Sequence, residues 1–394
     1  MTMKDRLVRG EKVMMNNVSR LPAVFARGKG TYLFDTDGKK YLDLLSGIAV
    51  MALGHSHPRL AKVMQQQAGK ILHVSNYFFL EEQVELAEKL RNLSGLGRVF
   101  FCNSGAEANE AAIKLARKYG RKLGGKYEII TALDSFHGRT MGALAATGQP
   151  KYQEAFAPMP EGFRYAPFNE LAAWEEAVNE RTCAVLVEPV QGEGGVRPAA
   201  KDFIQGLAEL CRRRRLLLIM DEVQTGLGRT GKIFAWQHAG VRPDIMTLGK
   251  ALGHGIPFGA VLARKEAVFE PGDHSTTVGG GGMAFAAALE VLRVMEEENL
   301  PERAGRLGRE LTALFEEWRE RLSVVKEVRG LGLMLALELT CPAKPVVETC
   351  LQRGLLINAV TPTALRLLPP LNIGKEELEK GLDILYEVLA VVRP

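Results

Sequence analysis

The chain has 394 residues, 46% of them apolar and 25% charged with a formal net charge of +5, as is usual for a globular protein of two or three domains. No segment approaches the ~18 uninterrupted apolar residues of a membrane span, and the N-terminus lacks the apolar core of a secretion signal, so we expect a cytoplasmic protein without a membrane segment. Five cysteines without a CxxC pair favour reduced thiols over disulfides, and the lack of an HExxH-like ligand set predicts no structural metal.

Changes of composition along the chain predict its domains. The sequence around the turn dipeptide Asp37-Gly38 is typical of a hairpin, and we expect the segment 1–50 to pack with the C-terminal part. Residues 51–283 are predicted to form a large domain. Beyond it the sequence becomes rich in Ala, Leu, Glu and Arg, so residues 284–394 are predicted to form a smaller α+β domain.

Short apolar runs alternate with helical stretches in the predicted large domain. The predicted strands cover residues 98–102, 127–133, 184–187 and 216–220, the predicted helices cover residues 106–118 and 201–214, and a further strand at 331–339 belongs to the small domain. Strands buried on both faces and joined by helices indicate a mainly parallel sheet, and right-handed crossovers then give a doubly wound α/β fold. Because ligands bind at the carboxyl ends of strands in such sheets, residues that follow a strand are site candidates.

The run Arg212 to Arg215 is the most conspicuous cluster of charge. It could be a nucleic-acid patch, but it lies at the end of the helix predicted over 201–214, where cations cap free carbonyls and favour the helix dipole. No interleaved aromatic residues accompany it. The sequence therefore favours a solvated helix end and predicts no nucleic-acid partner.

The first candidate site follows the strand at 98–102. Ser104, Gly105 and Ala106 open a helix there, and a glycine allows close approach to an anion. The Ser104 hydroxyl, the free amides and the helix dipole all favour phosphate. A simple capped helix explains this motif equally well.

The second candidate site follows the strand at 216–220. Asp221 ends an apolar run, and a buried carboxylate is costly unless it faces a cation or a donor such as a protonated pyridine nitrogen. The alternative is a plain capping aspartate. The segment 226–231 fits the G-x-G-x-x-G pattern of dinucleotide-binding folds, but it begins five residues beyond the strand and lacks the acidic residue expected ~20 residues later.

Lys250 is the third candidate, because it lies among glycines and apolar residues with no partner nearby in the sequence. It could be a surface lysine whose stem covers apolar neighbours. It could also be a desolvated amine that stays reactive for Schiff-base chemistry. Its own neighbourhood leaves both interpretations open.

Together these segments resemble the class III aminotransferases that use pyridoxal phosphate. The resemblance rests on motifs that occur in one order along nearly the whole chain: Ser104–Ala108, Phe136–Thr140, Val187–Glu193, Asp221–Gly231, Pro243–Ile245, Lys250–Gly253 and Leu365–Pro370. Within that family, residues 47–55 and 73–76 look most like the acetylornithine branch. The loop 275–282 departs from the family pattern, but it keeps two hydroxyls as Thr276 and Thr277.

The resemblance implies a fold-type I enzyme and a role for each matching residue. Lys250 would be the Schiff-base lysine, and Asp221 would keep the pyridine nitrogen protonated so that the ring can accept electrons. The other residues implied to hold the cofactor are Ser104, Gly105, Ala106, Phe136, Glu222, Val223, Gln224 and Thr277. Without the resemblance, Phe136 would be interpreted as an ordinary core aromatic.

The resemblance also implies how the substrates are held. Arg139 would grip a substrate carboxylate bidentately, although alone it is equally typical of an ion pair. Arg366 would take the α-carboxylate of the dicarboxylate partner, and Glu193 would neutralise Arg366 in the other half-reaction. Thr276 is a further substrate-binding candidate.

The expected activity is ping-pong transfer of the terminal amine of N2-acetylornithine to 2-oxoglutarate, a step of arginine biosynthesis. The expected assembly is a homodimer in which Thr277 reaches the phosphate site of the other chain. Other donors stay open: succinylornithine, ornithine, 4-aminobutyrate and N-succinyl-diaminopimelate. An aminomutase, or a protein that only binds pyridoxal phosphate, is a more distant alternative.

Overall fold

The computed structural model of the protein describes residues 1–392. Numbered in chain order, its strands are β1 (Phe25–Lys29), β2 (Tyr32–Asp35), β3 (Lys40–Asp43), β4 (Arg98–Cys102), β5 (Glu128–Ala132), β6 (Phe163–Ala166), β7 (Thr182–Val187), β8 (Val190–Gln191), β9 (Arg197–Pro198), β10 (Leu217–Asp221), β11 (Ile245–Leu248), β12 (Gly259–Ala263), β13 (Val325–Leu331), β14 (Met334–Leu339), β15 (Leu355–Leu356), β16 (Asn358–Ala359) and β17 (Ala364–Leu367). Its α-helices are α1 (Met3–Val13), α2 (Ser46–Ala49), α3 (Pro58–Ala68), α4 (Glu81–Ser94), α5 (Gly105–Lys122), α6 (Met141–Ala146), α7 (Pro150–Gln153), α8 (Leu171–Ala177), α9 (Lys201–Arg214), α10 (Gly281–Glu297), α11 (Leu300–Arg321), α12 (Ala343–Gln352) and α13 (Lys375–Val391). In this described part, none of the helices is long and apolar enough to cross a membrane.

The central sheet confirms the predicted doubly wound α/β fold. Its strand order is β4-β12-β11-β10-β7-β5-β6, and within this sheet, as the structure describes it, β12 alone runs opposite to the other strands. Every residue of β5, β7, β10, β11 and β12 is buried, because helices cover both faces of the sheet. Helix α5 packs on one face, whereas α8 and α9 pack on the other.

Most predicted elements lie within a few residues of the observed ones. Strand β4 and helix α9 have the predicted bounds, and α5 begins one residue earlier and ends four residues later than predicted. The strand predicted at 331–339 is wrong at its start. Gly332 adopts a φ of +59°, and a Cβ there would collide with the backbone of Thr230, so a tight turn separates β13 from β14.

Two smaller sheets lie outside the central one. Strands β13, β14, β17 and β16 form an antiparallel sheet from the C-terminal third, with Arg366 on β17. Strands β2 and β3 form the predicted hairpin around Gly38, and β3 pairs in parallel with β15. The N-terminal hairpin therefore joins a strand near the C-terminus, whereas the domain boundaries at 50/51 and 283/284 stay a prediction.

The arginine run ends α9, as predicted. Arg215 adopts a left-handed conformation as the C-cap, and the side chains of the run are exposed. Arg212 and Arg213 pair with Glu209, and Arg213 also pairs with Glu175. The charge of this cluster is therefore partly neutralised on the surface of its own helix.

The segment 226–231 connects the central sheet to the C-terminal part. Arg229 is buried and donates from Nη1 to the Leu333 carbonyl at 2.9 Å and to the Pro369 carbonyl at 2.6 Å. Gly231 has a φ of +99°. The segment forms turns and opens no helix, so it lacks the geometry of a dinucleotide-binding loop. Its G-x-G-x-x-G pattern serves packing between the two parts.

Replacing Arg229 with methionine should destabilise the protein although it leaves the cavity described below untouched. Methionine retains an apolar stem but leaves the carbonyls of Leu333 and Pro369 without their donor, so we expect a loss of roughly 2–4 kcal/mol in the free energy of unfolding. Denaturant unfolding of the two proteins measures this. The exposed Arg306→Met on α11 is the matched control and should change stability by less than about 0.5 kcal/mol. Equal stability of Arg229→Met and the parent would contradict the connecting role.

Candidate active site

The carboxyl ends of three neighbouring strands bring the candidate residues together. Strand β10 ends at Asp221, β11 is followed shortly by Lys250, and β7 is followed by Glu188. Because β10 pairs in parallel with both neighbours, these ends lie at one edge of the sheet. A cavity of ≈300 Å³ opens at this edge, and all three side chains line it.

Polar neighbours surround the buried carboxylate of Asp221. Its Oδ2 accepts a hydrogen bond from Asn109 Nδ2 at 2.7 Å and lies 2.8 Å from His137 Nδ1, while its Oδ1 accepts the Val223 amide at 3.0 Å. Thr247 orients Asn109 by donating its hydroxyl to the side-chain oxygen. Burial opposes ionisation, but the hydrogen bond and charge of His137 outweigh it, so the pKa of Asp221 is lowered. A negative charge is therefore held at the cavity wall.

Lys250 presents a desolvated amine to the same cavity. Its backbone has a φ of +43°, an uncommon conformation for a residue with a side chain, at the start of a 3₁₀ turn. Burial lowers the pKa of the amine, although the nearby charges of Glu193 and Asp221 favour its protonated form. Glu193 and Asp221 line the same cavity as Lys250. The lowered pKa makes the neutral amine, which can act as a nucleophile or a base, easier to reach than in a solvated lysine.

The N-terminus of α5 forms another wall of the cavity. Ser104 caps the helix by accepting the Glu107 amide at 3.1 Å, so its hydroxyl serves the helix itself. Gly105 and Ala106 line the cavity at the first two helical positions, whose amides have no acceptor within the helix. A Cβ on Gly105 would lie 2.6 Å from Cγ1 of Val223. The glycine lets the Val223 side chain approach this anion-binding end closely.

Phe136 and Arg139 lie on the loop after β5 and also line the cavity. Arg139 is exposed, and its guanidinium carbon lies 3.8 Å from the centre of the Tyr152 ring and 5.4 Å from that of Phe136. Stacking holds the plane of the guanidinium without using its N–H donors. Arg139 is therefore available to bind a carboxylate at the open side of the cavity.

Arg366 is fully buried behind Gln224 and Glu193, which both line the cavity. Its Nη1 donates to Glu193 Oε1 at 2.6 Å and to Gln224 Oε1 at 3.2 Å, and its Nε donates to Asn358 at 3.2 Å. Its Nη2 has no hydrogen-bond partner among the described residues. Burial opposes ionisation of Glu193, but the charge of Arg366 lowers the pKa of that carboxyl below its usual value. One donor of a buried guanidinium thus remains free for an anion.

Besides Ser104 and Arg366, three further candidate residues lie outside the cavity lining. The carboxylate of Glu222 lies outside the cavity lining, where it accepts the Thr225 hydroxyl at 2.5 Å and the Trp236 amide at 2.8 Å. Thr276 accepts a hydrogen bond from Asn103 at 3.1 Å, and Thr277 is exposed on the surface. Glu222 is thus part of the structural support below Asp221, and Thr277 faces outward.

Sequence reasoning missed three residues of the site: Asn109, His137 and Glu188. Glu188 follows the apolar run 184–187 directly, so the rule that identified Asp221 could have found it. Asn109 lies one helical turn after Gly105 on the same face of α5. His137 carries no comparable signal, because only tertiary folding brings it to Asp221.

The cavity presents the groups that pyridoxal 5′-phosphate requires. Free amides at a helix N-terminus suit its phosphate, an ionised Asp221 suits a protonated ring nitrogen, and a desolvated amine suits its aldehyde. Val223 and Phe136 supply apolar surface for the ring. The fold and this cavity together define a pyridoxal-phosphate enzyme of the doubly wound α/β type.

Comparisons with known proteins specify the family. Residues 13–389 match the model of the aminotransferase class-III family. Acetylornithine aminotransferase of Methanocaldococcus jannaschii is 46% identical over 387 residues, 97% of each chain. The Gloeobacter violaceus protein of the same name is 48% identical over 385 residues, 96% of each chain. The chain belongs to the class-III aminotransferases, which use pyridoxal phosphate.

Solved structures support the same assignment. Ornithine aminotransferase of Toxoplasma gondii superposes with a TM-score of 0.96 at 32% identity and covers 99% of this chain and 95% of its own. Acetylornithine aminotransferase of Elizabethkingia anophelis superposes with a TM-score of 0.88 at 35% identity over 99% of both chains. The Toxoplasma structure is described as having pyridoxal phosphate at partial occupancy in its active site.

Proposed function

We propose that this aminotransferase moves the terminal amine of N2-acetylornithine to 2-oxoglutarate, a step of arginine biosynthesis in the cytoplasm. The relatives named acetylornithine aminotransferase, 44–48% identical over nearly the whole chain, support the donor. The site observation that carries the proposal is the pair of arginines at one cavity: Arg139 is available at the open side, and Arg366 is buried with one unpaired donor. A dicarboxylate acceptor requires a cation for each end.

The chain's own groups would hold the cofactor in a single orientation. The amides of Gly105 and Ala106 would bind the phosphate, and Val223 and Phe136 would enclose the ring. Asp221 would keep the ring nitrogen protonated, because its lowered pKa leaves it ionised at neutral pH. When bound in this way, pyridoxal phosphate supplies the electron sink for the bond-breaking step.

Lys250 would perform two tasks with one amine. Desolvation lowers its pKa, so a neutral, nucleophilic form is available to join the cofactor aldehyde covalently. Once the substrate has displaced it, the same Nζ would carry the proton between the substrate carbon and the cofactor. Lys250 and Asp221 line the same cavity, which supports a role for both groups on the same ring.

Three charged residues would let one site bind both substrates in turn: Arg139, Arg366 and Glu193. Arg139 would bind a carboxylate of either substrate. When the donor occupies the site, Glu193 would neutralise Arg366 through their 2.6 Å ion pair. When 2-oxoglutarate enters, its second carboxylate would replace Glu193 on Arg366. Thr276 would help to bind the substrate from the loop 275–282.

The exposed aromatic run Tyr77–Phe79 supports a homodimer. Tyr77 is 92% exposed and Phe79 86%, a large apolar surface for a monomer. Asn76 donates to the carbonyl of Thr276, so this patch adjoins the loop that carries Thr277. A second copy covering the patch would receive Thr277 at its phosphate site. There the Thr277 hydroxyl would add a donor to the amides of Gly105 and Ala106.

A panel of amine donors with 2-oxoglutarate tests the proposed substrate. The highest kcat/KM is expected for N2-acetylornithine, at least ~10-fold above ornithine, because acetylation removes an ammonium charge that would lie near Arg139. Succinylornithine, 4-aminobutyrate and N-succinyl-diaminopimelate complete the panel. A higher kcat/KM for any of them would overturn the donor assignment. Isomerisation of a donor without 2-oxoglutarate would indicate an aminomutase instead.

Arg366→Ala should impair the two half-reactions unequally. Loss of a charge-assisted carboxylate contact should slow the 2-oxoglutarate half by roughly 10- to 100-fold, corresponding to about 1.5–3 kcal/mol, and leave the donor half nearly intact. Single-turnover absorbance changes of the cofactor measure each half separately. Arg139→Ala is the matched comparison and should slow both halves. Equal losses in both halves of Arg366→Ala would contradict the switch between Glu193 and Arg366.

Mixed dimers test whether Thr277 acts across the interface. A Lys250→Ala chain is combined with a Thr277→Ala chain, and the heterodimer is isolated. If Thr277 acts on the partner, the site with intact Lys250 receives an intact threonine and should bind the cofactor with parental affinity. Weakened binding at that site would place Thr277 in its own chain. A fully active monomer would refute the shared site altogether.

A further inference from the structure

A second buried carboxylate lies beside Asp221 and has no part in the steps above. Glu188 directly follows β7, whose last residue, Val187, pairs with Met220 on β10. Glu188 and Asp221 are therefore neighbours at the same edge of the sheet. The backbones of their two strands are about one strand spacing (~4.8 Å) apart. Glu188 is 6% exposed and lines the cavity. A buried carboxylate beside another one is costly in free energy unless hydrogen bonds or an opposite charge compensate it.

Each oxygen of Glu188 accepts a different backbone amide. Oε2 accepts the amide of Phe136 at 3.0 Å, and Oε1 accepts the amide of Gly192 at 3.1 Å. Phe136 belongs to the loop after β5, which also carries Arg139. Gly192 immediately precedes Glu193, the partner of Arg366. One side chain thus connects the loop beside the cofactor ring to the loop that carries the carboxylate switch.

We propose that Glu188 is a positioning residue that fixes the Phe136 loop and the Gly192–Glu193 loop relative to each other through these two hydrogen bonds. Without the two Glu188 bonds, the loops are joined through Gln191, whose Nε2 donates to the Leu133 carbonyl at 2.7 Å beside the ends of β5 and β8. The ring wall and the switch would then lose part of their common geometry. The inference rests on the proposed function only in the tasks given to Phe136 and Glu193.

The charge of Glu188 makes this connection sensitive to pH. Burial raises the pKa of Glu188 to about 7, and the charge of Asp221 also raises it. The charge of His137 and the hydrogen bonds from the two amides act in the opposite direction. Below that pH a proton occupies one oxygen, so one of the two acceptors weakens; above it both oxygens accept. His137, Asp221 and Lys250 are the charged or titratable groups that face Glu188. The lowered pKa of Asp221 keeps that residue ionised in this range, and burial shifts the pKa of Lys250 downward.

Hydrogen exchange of the holoenzyme without substrate tests the connection directly. Glu188→Gln retains the shape but offers one acceptor oxygen, and its NH₂ faces the second amide. Amide exchange followed by mass spectrometry should be roughly 5- to 10-fold faster in at least one of the peptides 134–140 and 189–194, as expected for one lost hydrogen bond. Glu188→Ala should accelerate both peptides. Exchange at parental rates in both peptides of both variants would overturn the proposal.

Glu128→Gln is the matched control. Glu128 is also buried, at 5% exposure, and its two oxygens likewise bind neighbours, Asn179 and Arg181. It lies at the opposite end of β5 from the cavity. This variant should leave exchange in the two loops at the parental rate. Equal acceleration by Glu128→Gln would mean that removing any buried charge loosens the loops, and the proposal would fail.

The pH profile supplies a readout that a purely structural carboxylate would not move. In the parent enzyme, kcat/KM for 2-oxoglutarate should rise through about pH 7 as Glu188 ionises, and this rise should be absent from Glu188→Gln. A rise that persists in the variant would contradict the pH-dependent connection. If neither variant folds, Glu188→Asp keeps the charge with a shorter reach, and it should release one loop only; release of neither would overturn the proposal. A different preferred donor would contradict the proposed substrate and leave the exchange result intact.

Discussion

The buried Asp221 carboxylate is the interaction on which the site depends. A charge at this depth is unfavourable unless polar groups compensate it, and Asn109, His137 and the Val223 amide do so together. Each of these partners comes from a different segment of the chain. Compensating one charge therefore fixes the start of α5, the loop after β5 and the turn after β10 around a common point. The parallel sheet makes this convergence available, because its strand ends meet at one edge.

The surroundings of Asp221 favour ionisation of this residue over ionisation of the two neighbouring buried carboxyl groups. Burial raises the pKa of Glu188 and of Glu222 to about 7, and in both cases the charge of Asp221 adds to the shift. Of these three carboxylates in the described part of the chain, only Asp221 has a histidine at hydrogen-bond distance, and its pKa is lowered. Neighbouring carboxyl groups whose pKa values are driven apart acquire different tasks. Asp221 can remain an anion beside a protonated ring, while Glu188 and Glu222 serve mainly as acceptors for backbone and hydroxyl groups.

The sequence was sufficient for the features that depend on local pattern. Apolar runs buried on both faces predicted β4, β5, β7 and β10, and the positions after them led to Asp221 and to the Gly105 helix. Features that depend on tertiary contact were not accessible. Nothing local marks His137 as the partner of Asp221. A continuous apolar run concealed the turn at Gly332. The family resemblance implied that Glu222 holds the cofactor, although its side chain lies outside the cavity lining and accepts the Trp236 amide.

Arg366 and Glu193 differ in exposure, and this difference favours Glu193 as the group that acts as the switch. Arg366 is fully buried on β17 and is held by Asn358, whereas the side chain of Glu193 is 27% exposed on a loop. An unpaired guanidinium at that depth is costly, so a carboxylate should be present in every state of the reaction. The charge of Arg366 keeps Glu193 ionised, so in the proposed reaction Glu193 leaves as an anion that water can solvate. In this proposal the incoming carboxylate would replace it with the same charge, so the charge on Arg366 would stay compensated in both half-reactions.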